Sequence, residues 1–226
     1  MDLASFHESV RKGNLEQVKA ALLQDGALLT ARNDSGQSAL LLAKYYGQPE
    51  IAKYLLSLDP ELDMYEACAV GNLAGVNRAL NVQPDLFESH SPDGWTPLHL
   101  SAFFGQAAIA EALLDRGAKV DSRSTNQMQN TPLHAATAGG HTALVELLLQ
   151  HGAEVNARQH GGWTALHGAA QAGRKDMVAV LLAHSADVQL RAENNQTPLD
   201  LALLGGKADV VALLESFEPP ANSRVN

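Results

Sequence analysis

Seven glycines recur along the chain at nearly regular intervals. Their successive separations are 34, 24, 34, 35, 33 and 33 residues. A period of about 33 residues indicates a stack of similar supersecondary units, because each unit buries its apolar face only against its neighbours. The 226 residues are therefore expected to form one elongated domain without a single central core. These glycines are Gly13, Gly47, Gly71, Gly105, Gly140, Gly173 and Gly206.

A four-residue motif marks the start of a short helix in four of the units. It reads Thr-Pro-Leu-His at residues 96–99 and 131–134, Thr-Ala-Leu-His at 164–167 and Thr-Pro-Leu-Asp at 197–200. Threonine suits an N-cap, since its hydroxyl accepts from a first-turn N–H, and proline costs no hydrogen bond at the first helical position. The recurring glycine follows and can end this helix with a positive φ. A second apolar helix is expected after it.

The motif, the mid-unit glycine, a Leu-Leu pair and a Gly-Ala-x-Val-Asn/Asp ending, as at residues 152–156, occur in register. Together they resemble the ankyrin repeat over residues 1 to about 218. The resemblance implies an all-α solenoid of about seven helix–turn–helix units joined by short β-hairpin fingers. Residues 219–226 are expected to be a disordered tail. The units are predicted at about 1–32, 33–59, 60–90, 91–125, 126–158, 159–191 and 192–218.

Three departures from the repeat carry structural expectations. The glycines of units two and three are only 24 residues apart. Residues 56–60 are therefore expected to connect the helices of these units directly and to leave a gap in the row of fingers. Unit five has two extra residues within 122–130, which predict a longer finger. Ser185 stands where other units have glycine at the end of the second helix, so that turn is expected to be strained or differently shaped.

Composition excludes several classes of protein. The net charge is −9, from 16 basic and 25 acidic residues without a basic block, which argues against a nucleic-acid partner. No run of about 18 apolar residues or signal-peptide core occurs, so we expect no membrane association. The one cysteine, Cys68, cannot form an intramolecular disulfide and is expected to be a small buried residue. A cytoplasmic protein is the simplest interpretation.

Nothing in the sequence predicts catalysis, a cofactor or a metal. The nucleophile elbow, the phosphate-binding loop, and the His-Glu-x-x-His and Cys-x-x-Cys motifs are all missing. Equivalent residues in stacked units lie about 10 Å apart, whereas the ligands of one zinc ion all lie about 2.1 Å from it. The resemblance instead implies that the motif histidines hydrogen-bond the threonine and nearby backbone and tie the units together. They are His7, His99, His134 and His167.

Aromatic residues concentrate in positions that the repeat leaves free. In proteins that look like this, partners dock on the concave face made by finger tips and inner helices, so the relevant positions are the residue before the threonine and those seven and eight after it. Both tryptophans hold the first position, and four of nine Tyr and Phe residues hold the others. With two leucines, they predict an exposed partner-binding stripe: Trp95, Phe104, Tyr46, Phe103, Tyr45, Trp163, Leu100 and Leu42.

A structural interpretation of the same residues stays open. One ring of each pair can pack under its neighbour, and Trp95 and Trp163 can brace their fingers. If the stripe is exposed, replacing Trp95 and Phe104 with alanine should leave thermal unfolding nearly unchanged and abolish partner capture.

The leading functional hypothesis is a monomeric, non-catalytic scaffold that binds an unidentified protein or peptide. One alternative is self-association through the aromatic stripe. Another is an atypical enzyme or small-ligand site in a pocket at the irregular junction of units two and three. A deep, polar, convergent cleft at that junction would favour the second alternative, and a shallow apolar groove would count against it.

Overall fold

A computed structural model describes residues 1–217, which form fourteen α-helices in seven consecutive pairs. In each pair, a first (inner) helix is followed by a second (outer) helix after a short turn. The pairs are α1 (Leu3–Arg11) and α2 (Leu15–Gln24), α3 (Ala39–Tyr45) and α4 (Pro49–Ser57), α5 (Met64–Val70) and α6 (Leu73–Val82), α7 (Pro97–Phe103) and α8 (Ala107–Asp115), α9 (Pro132–Gly139) and α10 (Thr142–Gln150), α11 (Ala165–Ala172) and α12 (Lys175–Ala183), and α13 (Pro198–Leu204) and α14 (Ala208–Phe217).

Each inner helix packs against the inner helix of the next pair, and most outer helices do the same with the next outer helix. The all-α solenoid expected from the repeat is thereby confirmed. No helix of residues 1–217 is long and apolar enough to span a bilayer. The tail expected at residues 219–226 lies outside the described residues.

The buried apolar side chains fall into two clusters. One extends from Phe6 to Leu55 and the other from Met64 to Leu214, so the division lies at the junction of units two and three. Leu62, in the connector, packs against both clusters. Tyr45 belongs to unit two by sequence but packs against the second cluster. The irregular spacing therefore interrupts the core at this junction without separating the two parts.

The motif histidines act as the resemblance implied in three of four units. The Thr96 hydroxyl lies 2.8 Å from His99 Nδ1, and His99 Nε2 donates to the Asn130 carbonyl at 2.9 Å. His134 and His167 repeat both contacts with their own threonine and the next unit. His7 is the exception, since neither of its ring nitrogens has a hydrogen-bond partner. Its unit has alanine in place of the capping threonine.

The fingers are tight turns, so the expectation of β-hairpins is corrected. Within residues 1–217 the only strand-type pairing is an isolated bridge between Arg32 and Ser38. A typical turn, at residues 91–95, has two backbone bonds of 2.8 Å, from Ser91 N to the Trp95 carbonyl and from Gly94 N to the Ser91 carbonyl. The next residue, Thr96, already caps a helix, so no residues remain for a ladder. In unit five the closing bond runs from Ser124 to Asn130, and the predicted longer finger is confirmed.

The gap expected in the row of fingers is closed. Only residues 58–63 separate α4 from α5, without a finger turn between them. The turns on either side meet instead. Their close approach is seen at Gly36, where an added Cβ would lie 2.4 Å from Pro92 Cβ. Omitting one finger therefore brings unit two close to unit four.

Two smaller expectations are confirmed. Ser185 has a φ of 67°, in the left-handed region that Gly117 and Gly152 occupy at the same point of their units. Cys68 is fully buried, and burial raises the pKa of its thiol. Only the thiolate is a good nucleophile, so this cysteine is a packing residue.

Candidate partner-binding groove

The eight residues of the predicted stripe do not form one surface. Leu42 and Leu100 are each 1% exposed and belong to the core, so the prediction that they contribute to a docking surface is wrong. Each lies in the middle of an inner helix and is covered by the neighbouring units. Of the aromatic residues, Tyr46 is 54% exposed. The other five are partly buried.

Four of these aromatic side chains pack on one another across the irregular junction. The Tyr45 ring lies 6.3 Å from Trp95, 6.0 Å from Phe103 and 5.1 Å from Phe104, centroid to centroid. Trp95 and Phe103 are 5.1 Å apart and nearly perpendicular, a favourable edge-to-face arrangement. We call Tyr45, Trp95, Phe103 and Phe104 the aromatic cluster. It joins unit two to unit four over the small residues of unit three.

The hydroxyl of Tyr45 fixes this bridge. It donates to Asp93 Oδ2 at 2.8 Å, in the turn before α7. Burial, followed by the neighbouring Asp93 carboxylate, raises the pKa of Tyr45 above its usual value, so the hydroxyl stays a donor. Trp95 and Phe104 both pack on Tyr45. In contrast to the expectation from the sequence, we therefore expect replacement of these two rings with alanine to cost stability.

An open groove lies on the other side of Trp95, on the face formed by finger turns and inner helices. It has a volume of about 430 Å³ and is lined by residues of units four, five and six. Trp95 and Phe103 come from unit four, Asn130 and Ala138 from unit five, and Trp163 from unit six. We call this space the tryptophan groove. Met128, on the longer finger of unit five, lines it and is 45% exposed.

Residue size explains why the groove is open. Ala138 and Gly139 hold the positions that Phe103 and Phe104 hold in unit four. Gly168 and Ala172 continue the small lining in unit six. The groove therefore exists because small residues of units five and six lie between Trp95 and Phe103 on one side and Trp163 on the other.

Hydrogen bonds from histidine side chains to backbone carbonyls hold two of the groove residues in place. His99 Nε2 donates to the Asn130 carbonyl, and His134 Nε2 donates to the Trp163 carbonyl at 3.1 Å. Burial lowers the pKa of both histidines to about 4, so both are neutral near pH 7. Each therefore keeps a lone pair on Nδ1 for its threonine and a proton on Nε2 for the next unit. The histidines thus fix the backbone of Asn130 and Trp163, two residues that line the groove.

Arg174 supplies the one charged side chain among the residues that line the groove. Its guanidinium donates to the carbonyls of Thr137 and Ala138 at the end of α9. His141 caps an earlier inner helix in the same way, by donating to Phe103 O at 3.1 Å. No carboxylate lies within ion-pair distance of Arg174 among residues 1–217. The groove therefore keeps an uncompensated positive charge at its edge.

A second cleft, of about 850 Å³, lies at the junction of units two and three. The acidic connector residues Asp59 and Glu61 line it together with Leu56 and with Val82, which is 83% exposed. No serine, cysteine, histidine or lysine is among the lining residues. Across residues 1–217, no group of three His, Cys, Asp or Glu side chains is placed to hold a metal ion. This cleft has the size of a ligand site, and its charged lining consists of the carboxylates of Asp59, Glu61 and Asp63 and the guanidinium of Arg78.

Sequence reasoning identified the two tryptophans but missed the groove between them. Asn130, Ala138 and Gln171 all occupied free repeat positions, and their small or polar character was the available signal. Met128 and Arg174 lie outside those positions and could not be found from the repeat.

Comparison with known proteins agrees with this architecture. The family described as "Ankyrin repeats (3 copies)" matches residues 64–159 and 157–223. These ranges include most of the chain, which therefore belongs to the ankyrin-repeat family.

Two curated relatives are similar over part of the chain. NF-kappa-B inhibitor alpha from Sus scrofa is 33% identical over 137 residues, 54% of this chain and 43% of that protein. Protein phosphatase 1 regulatory subunit 27 from Homo sapiens is 44% identical over 61 residues, 27% of this chain and 39% of that protein. The chain thus spans less than half the length of the curated relatives it matches.

Proposed function

We propose that this protein is a non-catalytic scaffold that binds a protein or peptide partner in the tryptophan groove. The observation that carries the proposal is an open groove of about 430 Å³ with a tryptophan from unit four and another from unit six. Tryptophan is a favoured anchor of binding hot spots, and a concave apolar site with a few polar groups suits a peptide segment.

The relatives support the same class of function. By their printed names, one is an inhibitor and the other is a regulatory subunit, and each therefore acts on another protein. We propose that the chain acts likewise, as a monomer in the cytoplasm. The free buried cysteine is in keeping with a reducing compartment.

A substitution that fills the groove tests the proposal without removing a core contact. Ala138→Phe places a phenylalanine where unit four carries Phe103, on an exposed helix position. Leu204→Phe is the matched control, because Leu204 holds the same register in unit seven and is exposed outside the groove. Affinity capture from the native host lysate should recover the same partner with the wild type and Leu204→Phe.

With Ala138→Phe, recovery of that partner should fall about 10-fold or more, the effect of losing one hot-spot contact of more than about 1.4 kcal/mol. Circular dichroism should show equal helix content in all three proteins. Undiminished capture by a folded Ala138→Phe protein would reject the groove as the docking site. Light scattering over a concentration series tests whether the protein is a monomer, since a molecular mass that rises with concentration would support self-association.

A further inference from the structure

Two hydrogen-bond donors of the tryptophan groove have no partner. Neither the Trp95 nor the Trp163 indole N–H has a hydrogen-bond partner within residues 1–217, and neither indole nitrogen is fully buried. The carboxamides of Gln159 and Gln171, which can donate or accept, also line the groove. A matching ligand should therefore offer carbonyl groups or other acceptors to the two indoles.

The charges around the groove further limit the class of ligand that it can bind. Within residues 1–217 no aspartate or glutamate lines the groove, although the chain as a whole carries a net charge of −9. A basic segment would find no carboxylate partner there and would lie beside the Arg174 cation. An acidic segment would meet Arg174 but would be repelled by the overall negative charge of the protein. An uncharged segment meets neither penalty.

Proline-rich segments combine these requirements. A polyproline II chain is extended, has no internal hydrogen bonds and exposes its carbonyl groups, and its prolines have no N–H. Its rings pack against flat aromatic side chains, and aromatic-lined grooves are the usual receptors of such segments. Trp95, Phe103 and Trp163 provide aromatic faces, while the indole N–H groups provide donors for carbonyls.

We propose that the tryptophan groove binds an uncharged, proline-rich segment of about six or seven residues in the polyproline II conformation. The length follows from three stacked units about 10 Å apart, spanned at about 3.1 Å per residue. This inference rests on the proposed function and specifies its partner class.

Intrinsic fluorescence tests the inference directly, because both tryptophans of the chain line the groove. The probe is the acetylated and amidated peptide Pro-Pro-Pro-Ala-Pro-Pro-Pro, and the control has glycine and serine in place of its prolines. The proline peptide should give a saturable spectral change with the full chain. The control peptide should bind at least about 10-fold more weakly, since it must lose more conformational entropy on binding.

Variants assign the binding to the groove. Ala138→Phe should abolish the fluorescence change, and Leu204→Phe should bind as the wild type does. Equal affinity for both peptides, no saturable change, or a stronger response to an acidic or a basic peptide of the same length would overturn the inference.

The two proposals fail separately. If Ala138→Phe loses its cellular partner while the proline peptide does not bind the wild type, the groove is the docking site and the partner class is wrong. If Ala138→Phe retains its cellular partner, the proposed function fails whatever the peptide does.

Discussion

The aromatic cluster and the tryptophan groove share Trp95 and Phe103 but differ in what lies beside them. On one side Tyr45 fills the space, because the missing finger lets unit two approach unit four. On the other side of Trp95 and Phe103, Ala138 of unit five is too small to fill the space, which remains open as the groove. The same repeat positions thus give a packed contact in one region and an open groove in the other. Register decides where a side chain points, but the neighbour's size and the connector's length decide whether it stays accessible.

The largest effect expected from a single substitution separates two adjacent tyrosines. Tyr45→Ala should destabilise the protein by about 3 kcal/mol, because three ring contacts and the bond to Asp93 are lost. Tyr46→Ala should change stability by about 0.5 kcal/mol or less, since that ring is 54% exposed. Urea unfolding midpoints measure both effects. Equal losses from the two variants would show that the aromatic cluster does not bridge the units.

Acid should weaken the groove region through its histidines. The pKa of His99 and of His134 is about 4 in the folded protein and near 6.5 when unfolded. Between these values the unfolded chain binds more protons, so stability is full above pH 6.5 and falls as the pH drops toward 4. The loss at pH 5 should be about 2 kcal/mol per histidine.

Urea unfolding at pH 7 and pH 5 measures this loss. The double variant His99→Gln and His134→Gln is the control, because glutamine can occupy the capping-box position without titrating. Its stability should change much less between the two pH values. A wild type equally stable at both would contradict the neutral, buried state of these histidines.

The closed gap between fingers can be probed with two glycines. Gly36 and Gly47 have φ values of 69° and 63°, so alanine is strained at both. A Cβ at Gly36 would also overlap Pro92, whereas one at Gly47 would meet nothing within 4 Å. Gly36→Ala should therefore cost about 1–2 kcal/mol more than Gly47→Ala in thermal or urea unfolding. Similar costs would indicate that the two fingers do not touch.

The smallest expected effect is a gain in stability. Ser185 holds a left-handed φ of 67° at an exposed position. Ser185→Gly should stabilise the protein by about 0.5–1 kcal/mol by relieving this strain, while Ser185→Ala, which keeps a Cβ, should not. Thermal unfolding of the two variants distinguishes strain relief from loss of the hydroxyl.

The parts of the structure that local rules determine could be predicted from the sequence. Threonine caps, glycine stops and the histidine contacts depend on residues within one unit or its neighbour, and Thr96, His99 and Ser185 behave as expected. The buried state of Leu42 and Leu100 was missed because the repeat gives the register of a side chain but not the coverage above it.

The closed gap and the groove depend on contacts between distant segments. Gly36 meets Pro92 because the connector between units two and three has no finger, and no local pattern predicts that approach. The groove requires comparing the size of Ala138 with that of Phe103 and Trp163 in the stacked units. Both tryptophans were identified as docking candidates, but the space between them appears only in three dimensions.

The central claim is that a partner docks in the tryptophan groove and not on the surface around the aromatic cluster. Binding of the captured partner to Ala138→Phe and to Tyr46→Ala, measured by titration against the wild type, compares the two surfaces directly. We predict that Ala138→Phe weakens binding about 10-fold or more and that Tyr46→Ala binds within about 2-fold of the wild type. Strong binding by Ala138→Phe together with loss of binding by Tyr46→Ala would contradict this account.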